Sequence, residues 1–117
     1  MGSCILTNSG RLKSKFLIHS VGPSFNQLTA KTNYQLLQSA VINALEKASM
    51  EIDIQSISMP PLSLGVLSRE KCAEIILENI VKWSCHNNIG ALRYIRICNL
   101  DDTTHRVFLR TLQNMFF

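Results

Sequence analysis

Apolar residues in this chain switch between two periods, and that switching constrains the fold more than any other feature. Short extended runs come first: Ser3-Cys4-Ile5-Leu6-Thr7, then Phe16-Leu17-Ile18-His19-Ser20-Val21, stopped by Gly22-Pro23. Between them Asn8-Ser9-Gly10-Arg11 carries turn chemistry, with Gly10 free to take a positive φ, so the pair predicts a β-hairpin. Over residues 33–50 the period lengthens. Tyr34, Leu37, Val41, Leu45 and Ala48 recur at three and four and mark one helix face, with Thr32 or Asn33 able to cap its start. Ile54 to Met59 is extended again and ends at Pro60-Pro61, because proline has no N–H to give a strand ladder.

A second helix is predicted over 69–84, with Cys72, Ile75, Ile76, Ile80 and Trp83 on one face, Ser68 as N-cap and Glu70 at the positive end of the dipole. Arg93 to Leu100 is the next strand. Asp101, Asp102 or Thr103 caps a last helix whose apolar face is Val107, Phe108, Leu112, Met115 and Phe116. The order is β-β-α-β-α-β-α. Its last five elements alternate, which predicts an α/β fold: a mixed sheet of about four strands with three helices and right-handed crossovers.

At 117 residues the chain has room for one domain. No apolar run has the length of a membrane span, and no signal peptide opens the sequence, so the expected setting is nucleus or cytoplasm. The net charge of +4 is lopsided. Residues 1–45 hold Arg11, Lys13, Lys15 and Lys31 and no acid; the rest sums to zero. A basic front can meet a polyanion, but the aromatic interleaving of a single-strand binder is absent, so nucleic acid is disfavoured. Cys4, Cys72, Cys85 and Cys98 show no C-x-x-C spacing, which argues against a metal site. Cys4, Cys72 and Cys98 read as small buried hydrophobes. His19 reads as a core or inter-strand histidine, and no catalytic triad or Cys-His pair can be argued from spacing.

Ligands on sheets of this kind bind beyond the carboxyl ends of the strands, which directs attention to two loops. The first, residues 60–68, joins a strand to a helix N-terminus through Gly65. It is either an anion-binding turn or a tight connection. The second is Asn99-Leu100-Asp101-Asp102, where the acids cap a helix rather than hold a metal.

Leu17-Ile18-His19-Ser20-Val21-Gly22-Pro23 resembles a strand motif of macro domains, the ADP-ribose-binding modules. Ser56-Ile57-Ser58-Met59-Pro60-Pro61-Leu62-Ser63-Leu64-Gly65-Val66 resembles their strand and phosphate loop. Cys4 to Leu12 and Leu45-Glu46-Lys47-Ala48 fall in matching order, and the likeness covers nearly the whole chain. Its flavour is that of macro domains found in PARP-type ADP-ribosyltransferase proteins. The resemblance implies a three-layer α/β/α fold. It also implies a diphosphate cradled by the backbone amides of Ser63, Leu64, Gly65, Val66 and Leu67, with Asn99 flanking adenine and its ribose. Two departures stand out. Leu67 and Ser68 replace the aromatic and glycine that usually continue the phosphate loop. The family's first strands, its early aspartate and its glycine-rich loop have no counterpart, so residues 1–117 are expected to form a truncated macro domain. One absent strand would lie between those at 16–21 and 54–59. The expected function is non-catalytic recognition of ADP-ribose or mono-ADP-ribosylated protein, possible alongside protein partners and without cofactor or metal. The alternative is a macro-fold interaction unit that has lost ligand binding.

Overall fold

The computed structural model describes residues 4–8, 10, 11, 13, 14, 16–20, 30–61, 68–86, 89–99 and 101–116. Seven elements follow in the predicted order: β1 (Cys4–Asn8), β2 (Phe16–Ser20), α1 (Ala30–Ser49), β3 (Ser56–Met59), α2 (Arg69–His86), β4 (Tyr94–Ile97) and α3 (Asp102–Phe116).

β1 and β2 form the expected antiparallel hairpin, with Leu6 opposite Ile18 and Asn8 opposite Phe16. Its turn holds because Gly10 sits at φ 59° and its N–H donates to Asn8 Oδ1 at 2.9 Å. His19 is an inter-strand histidine, its Nε2 lying 3.0 Å from Thr7 Oγ1. β3 and β4 pair in parallel, as a crossover through α2 requires. The four strands do not make one continuous sheet, however: among the described residues they stand as two separate pairs. The sequence period marks each strand but carries no information about which edge finds a partner, and nothing described lies between β2 and β3.

The strands alternate faces. Leu6, Phe16, Ile18, Ile57, Ile95 and Ile97 pack against the buried core, while Leu17, His19, Ser56, Ser58, Tyr94 and Arg96 are exposed. One helical layer covers the inner face, with α2 packed between α1 and α3. Leu37, Val41, Leu45 and Ala48 on α1 are fully buried, as are Cys72 and Ile76 on α2, which is the stripe the sequence period marks. On α3 Val107 and Phe108 are buried, but Leu112 is exposed. α1 begins at Ala30, so Thr32 and Asn33 lie in its first turn rather than capping it.

The cysteines divide differently from the expectation. Cys72 is buried, and burial pushes its thiol up to about 11. Cys98 is exposed. It continues the alternation of β4, in which Tyr94 and Arg96 face out, so the parity of the strand overrides its apolar neighbours. At pH 8 a thiol reagent is expected to modify Cys85 and Cys98 and spare Cys72 until denaturant is added, as peptide mapping by mass spectrometry would read. Fast labelling of Cys72 in the native protein would contradict the packing of α2. The sign of the accompanying pH effect follows from the raised pKa. The neutral thiol's contribution is intact below the unfolded value near 9 and is lost as pH rises towards 11.

Candidate functional site

The parallel pair β3–β4 brings two carboxyl ends side by side. Cys98 N–H donates to Met59 carbonyl at 2.9 Å, which carries the pairing one residue past β4. Pro60 then ends β3 for the reason read in the sequence, and α2 and α3 begin at this same end of the pair.

Each helix start is capped. Ser68 Oγ accepts the Lys71 N–H at 3.2 Å, and Ser68 carbonyl accepts the Cys72 N–H at 2.9 Å, so Ser68 is the predicted N-cap of α2. Of the three candidates for α3, Asp101 is the cap. Its Oδ1 accepts the Thr104 N–H at 2.7 Å and its Oδ2 accepts the Thr104 hydroxyl at 3.1 Å. The hydrogen bonds from Thr104, backbone first, hold the Asp101 carboxyl below its ordinary range. The acids of this loop therefore serve the helix, as expected.

One connection was not foreseen. Arg69 Nε donates to Thr104 Oγ1 at 3.0 Å, so the first residue of α2 is tied to the buried Thr104 of α3. The chain Arg69–Thr104–Asp101 locks two helix N-termini together across 35 residues of sequence. No local motif announces it, because each member alone reads as an ordinary surface or capping residue.

Asn99 lies between the end of β4 and the Asp101 cap. It is half-buried, and its Oδ1 is buried without a hydrogen-bond partner among the described residues. Leaving such an acceptor unpaired costs about 1–3 kcal/mol, so the position calls for a donor from outside the described chain. The other five residues singled out in the sequence, Ser63, Leu64, Gly65, Val66 and Leu67, lie outside the described residues. Among the described residues no three His, Cys, Asp or Glu side chains cluster closely enough to hold a metal ion. No described helix is long and apolar enough to cross a membrane. In chemical terms this end of the molecule offers the positive N-terminal end of α2, the Arg69 guanidinium held by Thr104 and one unsatisfied amide oxygen, while Asp101 and Asp102 place negative charge on the start of α3. That set suits a ligand carrying both anionic groups and N–H or O–H donors.

A sequence model described as Macro domain matches residues 1–76. The mouse protein mono-ADP-ribosyltransferase PARP9 is 31% identical over 108 residues, covering 89% of this chain and 12% of its own length. An O-acetyl-ADP-ribose deacetylase of Citrobacter rodentium is 33% identical over 113 residues, covering 95% of this chain and 62% of its own. A mutant macrodomain of Oceanobacillus iheyensis, solved with ADPR, superposes with a TM-score of 0.86 at 29% identity, over 97% of this chain and 60% of that one. The chain thus spans less than two thirds of each of these proteins.

Proposed function

The chain belongs to the macro-domain family, and from that premise we propose that it recognises ADP-ribose, free or attached to protein, without turning it over. The observation that carries the reading is the unpartnered Asn99 Oδ1 beside two helix N-termini at the carboxyl end of β3–β4. A nucleotide diphosphate supplies what that end lacks. Its anionic oxygens suit the N-terminal end of α2, and amide hydrogens of the 63–67 loop would cradle them. Its ribose hydroxyls or adenine amino group are donors for Asn99. The Arg69–Thr104 bond fixes the spacing between the two helix ends, so the site is set before ligand arrives.

Recognition without turnover is supported by the residues themselves. None of the candidate site residues Ser63, Leu64, Gly65, Val66, Leu67 and Asn99 is an acid or base near neutral pH, so these positions suit binding rather than proton transfer. Leu67 stands where an aromatic is usual and would offer the distal ribose apolar contact but no aromatic face, which argues for weakened affinity. None of Cys72, Cys85 and Cys98 is in a disulfide, which fits a reducing compartment such as nucleus or cytoplasm.

Calorimetric titration of the chain with ADP-ribose tests the reading. Saturable binding is expected, falling tenfold or more in Gly65→Val, where the added side chain keeps the backbone from the diphosphate. Absence of heat at millimolar ligand, with a folded chain by NMR, would overturn recognition. Release of ADP-ribose from a modified protein would overturn the non-catalytic part alone.

A further inference from the structure

The apolar stripe of α1 opens on a polar residue. Leu37, Val41, Leu45 and Ala48 are fully buried, and one turn before Leu37 the same stripe begins with Asn33, which is 7% exposed. Its Oδ1 is buried without a hydrogen-bond partner among the described residues. Folded proteins seldom leave such an acceptor empty, and an apolar side chain would fill the position without that cost.

Three contacts place Asn33. Ser20, at the carboxyl end of β2, donates its hydroxyl to the Ala40 carbonyl at 3.2 Å, and Ala48 lines the same cleft as Phe16 at the start of that strand. α1 therefore runs back along β2, and Asn33 lies about 10 Å further up the helix than Ala40, beyond the strand's carboxyl end. Helical side chains tilt towards the N-terminus, so the Asn33 amide is aimed at the helix start. The Lys71 ammonium lies 6.0 Å from the centre of the Tyr34 ring, which sets the first turns of α1 and α2 side by side. On the other side of α2, Arg69 is bonded to Thr104 of α3. The three helix starts thus stand in a row with α2 in the middle, neighbouring axes lying about 8–10 Å apart. An orphaned amide oxygen flanks the start of α2 on each side, Asn99 towards α3 and Asn33 towards α1.

We propose that Asn33 is a specificity-determining residue, whose Oδ1 accepts a hydroxyl of the distal ribose and so separates ADP-ribose from nucleotides that end at the diphosphate. The inference rests on the recognition reading above and deepens it. An ADP-ribose laid across the row puts its diphosphate at the start of α2, its adenosine towards Asn99 and its second sugar towards Asn33. The order of its groups (donor, anion, donor) is the order of the three positions. A ligand without the second sugar leaves the Asn33 oxygen as empty as it is in the free chain. The buried setting sharpens the choice, because an acceptor in a low dielectric gains most from the donor it lacks.

Calorimetric titration of the whole 117-residue chain with ADP-ribose and with ADP tests this. The wild-type chain is expected to bind ADP-ribose about tenfold more tightly than ADP. Asn33→Leu should close that gap, losing roughly tenfold for ADP-ribose and changing ADP by no more than about twofold. Asn99→Leu should weaken both ligands alike, since both carry the adenosine. Asn33→Leu also continues the apolar stripe, so without ligand it should melt roughly 2–6 °C higher than wild type, a gain that a merely structural Asn33 would not give. Asn33→Ala removes the acceptor without adding bulk and carries the ligand comparison if leucine crowds the first turn. Equal wild-type affinities for the two ligands, or variants at Asn33 that lose both ligands equally or lose neither, would overturn the role of Asn33 and leave recognition standing. A lower Tm in both Asn33 variants would overturn it too, by showing that the fold already satisfies the amide. Failure of the wild-type chain to bind either ligand would overturn recognition itself, and this inference with it.

Discussion

Replacing Gly90 by alanine is expected to destabilise the chain by about 3 kcal/mol or more. Two separate costs meet at this residue. Gly90 holds φ at 60°, a conformation that charges an L-residue roughly 1–2 kcal/mol. A Cβ there would also run into the carbonyl oxygen of Ser49, the last residue of α1. The turn from α2 to β4 cannot retreat easily. Leu92 N–H donates to the Ile89 carbonyl at 3.1 Å, and the Arg93 guanidinium holds the Gly90 carbonyl at 2.8 Å. The first methyl already meets the obstacle, and a β-branched valine at this φ should cost more still. Gly10 is the internal control. Its φ is 59°, but nothing lies within 4 Å of a Cβ built there, so Gly10→Ala pays the backbone cost alone. In thermal melts Gly90→Ala should lower Tm by on the order of 10 °C and Gly10→Ala by roughly half that or less. Equal shifts would show that the close approach to Ser49 does not matter.

Gly90 also marks where sequence reading stops. Nothing near it announces Ser49, which is 41 residues away, and a glycine between helix and strand reads as an ordinary turn. What was legible was local. Asn8-Ser9-Gly10 gave the hairpin because an Asn side chain can bond the N–H two residues on. Ser68 gave the start of α2 because its hydroxyl precedes an apolar 3.6 period. Buried stripes followed from spacing alone. Non-local pairing was not legible. Strand period is the same whether an edge is paired or open, so the break between β2 and β3 could not be read from it. Cys98 was misplaced because its apolar neighbours spoke louder than its parity in β4. At the candidate site Asn99 was singled out by position and is unpartnered in the fold, whereas Arg69 and Thr104 had no signal until α2 and α3 packed.

The break in the sheet makes α1 the element on which the rest depends, and Leu45→Ala should expose that dependence with a loss of about 2–5 kcal/mol. Leu45 is fully buried on α1. α1 packs on β1 and β2 with one side and on α2 with another, while no strand hydrogen bond links the hairpin to β3–β4 among the described residues. In a continuous sheet a cavity under one helix leaves the backbone ladder to hold both halves. Here apolar contact through α1 is the link, and the cavity weakens it directly. A drop in Tm of roughly 8–20 °C is therefore expected, against little change for Leu109→Ala, whose side chain is 46% exposed on α3. The order of unfolding is the sharper readout. Amides of β1 and β2 should lose exchange protection before those of β3 and β4 in Leu45→Ala, because the hairpin is tied to the core through this helix. Simultaneous loss in both pairs would mean that the hairpin is held by something other than α1.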